Sequence, residues 1–161
     1  MSLKTLPADL HALSYRNQLA VDFSQVVIDA MSLKYAHFPE LKWAVMDIRS
    51  LTLPDSSIDV AIDKGTLDAM IHGSLWDPPE DVRSNVGKYC DEVERVLKKN
   101  GGKWLYITFR QPHFMRPLLV REGVWTAECR VLGGQGEGMF EYFGWVMTRL
   151  GGEENAQAEE A

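Results

Sequence analysis

Apolar and polar positions change their period several times along this chain. Residues 7 to 13 read as the end of a helix and Gln18 to Asp22 as a short strand. Ser24 stands where a helix needs a side-chain cap, ahead of Val26, Val27, Ala30, Met31 and Tyr35 at helical spacing. Lys42 to Met46 reads as a strand ending at Asp47. Ile58, Val60 and Ile62 alternate with their neighbours, the period of a buried strand running to Asp63. Thr66 to Ile71 follows as a short helix and Trp76 to Glu80 as a proline-bearing loop. From Asp81 to Lys98 the period becomes helical, with Val82, Val86, Tyr89, Cys90, Val93, Val96 and Leu97 on one face. Asn100-Gly101-Gly102 stops that helix. Trp104 to Phe109 is apolar enough for a strand covered on both faces.

Strands and helices alternate to this point, which predicts an α/β fold with a parallel sheet. After Pro117 the pattern changes. Trp125, Ala127, Cys129 and Val131 alternate with polar residues, Gly133, Gly134, Gly136 and Gly138 supply a turn, and Met139 to Leu150 is a second strand-like run. Two strands with no helix between them pair antiparallel. The 161 residues fit one domain over residues 1–150 and a disordered acidic tail over 151–161.

Charge and composition narrow the partners. The net charge is -6, but four of the 23 acids lie in the tail after Leu150, and the rest of the chain is near neutral against its 17 bases. That balance argues against nucleic acid, whose phosphates select basic faces. No run approaches the roughly 20 apolar residues of a membrane span, and no signal peptide opens the chain. Two separate thiols, Cys90 and Cys129, fit a reducing compartment, so the reading is cytosolic. No His and Cys spacing resembles a metal site.

The chemistry concentrates in Asp63-Lys64-Gly65-Thr66-Leu67-Asp68-Ala69, where a carboxylate, a glycine and a hydroxyl meet at a strand's carboxyl end. Ligands bind at that edge of open α/β sheets. Asp22 and Asp47 also end strands. An acid after one strand suits ribose hydroxyls, an acid after the next an adenine amino group, and Asp63 the reactive end of the ligand. The plain alternative for each is a turn or helix cap. His113 follows the strand Trp104 to Phe109 and is either a substrate contact or a loop residue. Trp76 with Pro78 and Pro79 is either a lid or a surface loop.

Val21 to Leu150 resembles a class I S-adenosylmethionine-dependent methyltransferase, on the methyltransferase-like branch that includes lysine methyltransferases of translation elongation factor 1-alpha. The resemblance rests on Val21-Asp22-Phe23-Ser24, Met46-Asp47-Ile48-Arg49, Ser57-Ile58-Asp59-Val60 leading into Asp63 to Ala69, Val96 to Gly102, and Gln111-Pro112-His113-Phe114. It implies a Rossmann-like sheet ending in an antiparallel hairpin and S-adenosyl-L-methionine as cofactor. Asp22 and Phe23 would lie at the ribose, and Asp47 with Ile48 at the adenine. Asp63 and Lys64 would reach the methionine end, with Asp63 as the catalytic carboxylate that orients a lysine amine. Gly65, Thr66 and His113 would face a protein substrate such as a translation factor. The family's first strand and glycine-rich turn have no counterpart: no glycine precedes Gly65. The expectation is a chain truncated at its N-terminus with an impaired cofactor loop. Two rivals share the pattern, a nicotinamide-dependent oxidoreductase and a non-catalytic partner-binding remnant.

Overall fold

A computed structural model of the chain describes residues 6–133 and 141–151. Its residues fall into two compact units that meet in sequence at Thr52 and Leu53. The sequence reading had seen no such division.

In the first unit, α1 (Leu6–Ala12), β1 (Gln18–Asp22), α2 (Gln25–Lys34) and β2 (Leu41–Val45) follow one another. β1 and β2 pair in parallel, from Gln18 opposite Leu41 to Asp22 opposite Val45. Ser24 caps α2 as expected, its hydroxyl accepting from the Val27 amide at 3.4 Å. The buried face of α2 matches the expected one at Met31 and Tyr35, with Val27 packed against it, and differs at its flank. Ile28, Met31 and Tyr35 are buried, whereas Val26 and Ala30 are exposed. Met31, Tyr35 and Leu41 form the centre of this unit's core, with Tyr35 stacked on Trp43 at 5.9 Å between ring centroids. Ile28 joins that face in place of Val26 and Ala30, and Trp43 of β2 packs against it.

The second unit carries β3 (Val60–Lys64), α3 (Thr66–Met70), α4 (Glu80–Val96), β4 (Lys103–Thr108), α5 (Pro112–Leu119), β5 (Trp125–Leu132) and β6 (Tyr142–Arg149). The sheet order is β3-β4-β6-β5. β3 and β4 are parallel, and the other two pairs are antiparallel. The terminal hairpin has the expected partners, Trp125 opposite Arg149 through Leu132 opposite Tyr142. Gly133 adopts φ 76 at its turn, while Gly134, Gly136, Gly138 and the tail from residue 152 lie outside the described residues.

Trp104, Tyr106 and Trp145 lie at the centre of the second core against the apolar face of α4, whose expected residues are all buried. Behind α4, Asn100 and Gly101 take left-handed φ values of 58° and 114°. A side chain on Gly102 would run into the Lys98 backbone. That is why the stop is built from Asn-Gly-Gly.

Three expectations are corrected. The described strands form a two-stranded and a four-stranded sheet rather than one sheet. Val60 and Ile62, read as buried, are 47% and 40% exposed, and the buried member of β3 is Asp63. Among the described residues β3 pairs only with β4, so cover on its apolar positions is incomplete. Residues 112–119, which the sequence reading left without an element, form α5, with Pro112 in its first turn and Met115 and Leu119 buried.

Candidate active site

In the first unit, β1 and β2 run in parallel, so Asp22 and Asp47 come to the same end of the pair. Asp22 is the last residue of β1. One of its carboxylate oxygens accepts from the Ser24 amide at 2.8 Å, a turn that feeds α2. Its other oxygen accepts nothing among the described residues. Phe23 beside it is 82% exposed. One carboxylate oxygen of Asp22 is therefore left open beside an uncovered aromatic ring.

Asp47 is more occupied. Arg49 donates to it from its amide at 2.9 Å, from Nε at 3.0 and 3.2 Å, and from Nη2 at 2.7 Å. The guanidinium bonds hold its pKa down at about 2, and the local turn closes through the Ser50 amide to the Asp47 carbonyl at 2.9 Å. Both oxygens of this carboxylate already have Arg49 as a partner. Ile48 lies inside that turn, partly buried.

The second unit shows why Asp63 is where it is. β3 ends at Lys64, and Gly65 turns the chain into α3 within one residue by adopting φ 101, a conformation that a side chain disfavours. The first amides of α3 have no partner inside the helix. Asp63 supplies one from the strand below: Thr66 N–H donates at 2.9 Å to one oxygen and Leu67 N–H at 3.0 Å to the other. The Tyr89 hydroxyl of α4 donates to that second oxygen at 3.0 Å. The residue is 2% exposed. Burial pushes the Asp63 pKa up, against the pull of these donors, and pushes Tyr89 well up, so that its hydroxyl stays protonated and donates. Both oxygens are thus engaged with the protein, the capping role weighed from sequence. An amine could reach this carboxylate only by displacing a bond of α3.

One turn on, Asp68 gathers donors that the sequence reading missed. Its Oδ1 accepts from the Tyr106 hydroxyl at 2.8 Å, the Thr108 hydroxyl at 2.7 Å and Arg110 Nε at 3.0 Å. Arg110 Nη2 also donates to the carbonyls of Asp68 and Ile71, at 3.2 and 3.0 Å. α3 is therefore held at its start by Asp63 and at its end by Arg110. A signal existed: Tyr-x-Thr-x-Arg breaks the apolar run of β4 at its carboxyl end, and Tyr106 stands opposite Asp63 in the sheet register.

Lys64, Gly65 and Thr66 adjoin Asp63, whereas His113 stands in a separate aromatic group. Lys64 is partly buried at the end of β3 and Thr66 opens α3. A Cβ placed on Gly65 would meet nothing within 4 Å, so the turn faces open space. His113 sits on α5 with Phe114 and Trp76, at ring-centroid distances of 4.0 and 5.8 Å.

Comparisons with known proteins agree on a family. The model of a methyltransferase domain matches residues 6–105. EEF1A lysine methyltransferase 4 of Mus musculus is 41% identical over 102 residues, covering 62% of this chain and 40% of that protein. The eEF1A lysine and N-terminal methyltransferase of Homo sapiens is 31% identical over 156 residues, covering 90% of this chain and 22% of that protein. The chain thus spans two fifths or less of the curated relatives it matches. A solved SAM-dependent methyltransferase from Methanosarcina mazei shares the fold with a TM-score of 0.58 at 17% identity, covering 89% of this chain and 87% of its own. The N-methyltransferase NodS from Bradyrhizobium japonicum, solved with S-adenosyl-L-homocysteine, does so with a TM-score of 0.51 at 14% identity, over 81% and 65%. The family model spans more than half of the chain, and the chain belongs to the methyltransferase-domain family of S-adenosylmethionine-dependent enzymes.

Proposed function

We propose that this chain carries part or all of the catalytic domain of a protein-lysine methyltransferase, and that its acceptor is a lysine of translation elongation factor 1A. The observation that carries this reading is the 41% identity to a lysine methyltransferase of that factor. S-adenosylmethionine supplies a methyl group on a sulfonium, and the nitrogen must approach in line with that bond, shielded from water. A lysine with a solution pKa of about 10.4 must also be neutral to attack.

Asp22 and Phe23 take the ribose and adenine in this reading, with Asp47 and Ile48 at the adenine edge. Gly65 and Thr66 are assigned to the amine end, a reading supported by the open space at that turn. Lys64 and His113 remain candidates for the same end. Asp63 acts as a positioning residue, since its oxygens already hold α3 and Tyr89. Two free thiols support the cytosol as the compartment.

Calorimetry of this chain with S-adenosylmethionine, followed by transfer of tritiated methyl to elongation factor 1A, tests the proposal. Binding should weaken about tenfold in Asp22→Ala, the value of one hydrogen bond to a charged group. Label that persists on a factor whose lysines are all arginine would overturn the acceptor. No heat of binding at millimolar cofactor would overturn the cofactor reading.

A further inference from the structure

The residues after Gly151 include Glu153, Glu154, Glu159 and Glu160 and no base. We infer that this acidic segment, residues 152–161, docks along a groove of about 540 Å³ between α4 and α5, with its glutamates on Arg121 and Arg83. The inference concerns the chain's own surface and stands apart from methyl transfer.

The groove is basic where it is charged. Arg83, Arg121 and His113 line it, and no carboxylate does. Both arginines meet acids at its margin. Arg83 donates to Asp77 and to the Pro78 carbonyl, and Arg121 to Asp91 at 2.5 Å and the Gly87 carbonyl at 2.9 Å, with Glu94 3.7 Å away. Asp77 and Asp91 are 87% and 67% exposed, however, and ion pairs in that setting contribute little. Arg83 Nη1 and Arg121 Nε have no partner among the described residues. Each guanidinium therefore keeps N–H donors for a second carboxylate. Between the two, Val86, Pro117 and Leu118 are apolar, and a Cβ on Gly87 would meet nothing within 4 Å. That space suits the small side chains of Ala156 and Ala158, which lie between the two glutamate pairs.

The segment also starts beside the groove. The Leu150 amide donates to the Val124 carbonyl at 2.9 Å, and the Val124 amide to the Arg121 carbonyl at 3.2 Å. Gly151 lies against the Asn100 side chain, just past α4. Extended chain covers about 3.3 Å per residue, which brings Glu153 and Glu154 within reach of Arg121. Arg83 stands about 20 Å back from Val96 along α4, at about 1.5 Å per residue. The stretch from Gly151 to Glu159 covers about 26 Å when extended. A segment tethered this closely acts at roughly millimolar effective concentration, so contacts of only millimolar affinity hold it.

Nitrogen-15 relaxation of the full chain tests this. Amides of residues 153–160 should show order parameters of about 0.8 in the parent and below about 0.6 once all four glutamates are glutamine. The Gly87 amide and the Arg121 Nε–H should shift between the two spectra. Arg83→Gln, at a half-exposed position, should release Glu159 and Glu160 and leave Glu153 ordered. Parent order parameters below about 0.6 in the segment would overturn the inference. So would equal order in the glutamine variant, an unmoved Gly87 amide, or Glu159 and Glu160 still ordered in Arg83→Gln. Order that comes only with the tumbling time of a dimer would seat the segment on a second copy and overturn it too.

Discussion

Replacing Tyr89 with phenylalanine removes one oxygen and tests whether Asp63 is a structural acid. Tyr89 is buried, and its ring packs edge-on against Trp104 at 5.3 Å, a contact that phenylalanine keeps. What disappears is the donor to the Asp63 oxygen that also receives the Leu67 amide. A hydrogen bond to a charged group contributes about 1.5 to 3 kcal/mol, so Tyr89→Phe should destabilise by about 2 kcal/mol at pH 7. The pH dependence is more telling. Burial holds the Asp63 pKa above its ordinary 3.8, so the folded state binds this proton more tightly than the unfolded chain. Stability from this group therefore falls as pH rises from about 3.8 through the folded value. The Tyr89 bond lowers that value, and its loss raises it further. The deficit of the variant should shrink to about 1 kcal/mol, that of a neutral hydrogen bond, once the acid is protonated. Urea unfolding followed by tryptophan fluorescence across a pH series from acid to neutral reads this out, because four of the five tryptophans lie in the second unit. A deficit that is equal across the series, or larger in acid, would refute a charged, capped Asp63.

Arg110→Met should cost about 3 to 5 kcal/mol by leaving the Asp68 carboxylate without its cation. Adding Asp68→Asn should recover part of that loss, and a double variant no more stable in urea than the single would count against the ion pair. Gly87→Ala should stabilise by about 0.5 to 1 kcal/mol, since a methyl there meets open space. Gly102→Ala should destabilise by more than about 2 kcal/mol, because its methyl meets the Lys98 backbone; a melting experiment that ranks the two the other way would be inconsistent with the packing described. Burial pushes the Cys90 thiol up to about 12, whereas Cys129 is only partly buried. Iodoacetamide at pH 8 should therefore label Cys129 first and reach Cys90 only in denaturant, as read by mass spectrometry.

Much of the fold was legible because its signals are local. The α4 face follows from apolar spacing, the Asn-Gly-Gly stop from left-handed backbone, and the hairpin from alternation across a glycine turn. Misreadings came where a local pattern has two solutions. The α2 stripe was right at Val27, Met31 and Tyr35 but placed the flank at Val26 and Ala30 where the structure uses Ile28. Alternation along β3 shows that one face is apolar, not whether anything covers it. α5 was hidden by its prolines, although Pro112 sits in the first turn, where its missing N–H costs nothing. Asp63 was found as a special residue, but its partner Tyr89 lies 26 positions away, a separation that no short-range pattern encodes. The Asp68 cluster is of the same kind.

α3 has five residues, far fewer than the roughly 12 to 15 at which a helix becomes even marginal alone in water. It is held at its start by Asp63 from the preceding strand and at its end by side chains that arrive later in the chain, the last of them Arg110, which reaches back 39 positions to the Ile71 carbonyl. A fragment ending before that arginine keeps the cap of the Gly65 turn but lacks the anchor at the far end of α3. The far end of α3 is thus completed only by residues at the carboxyl end of β4, so the segment that encodes the helix does not by itself encode both of its anchors.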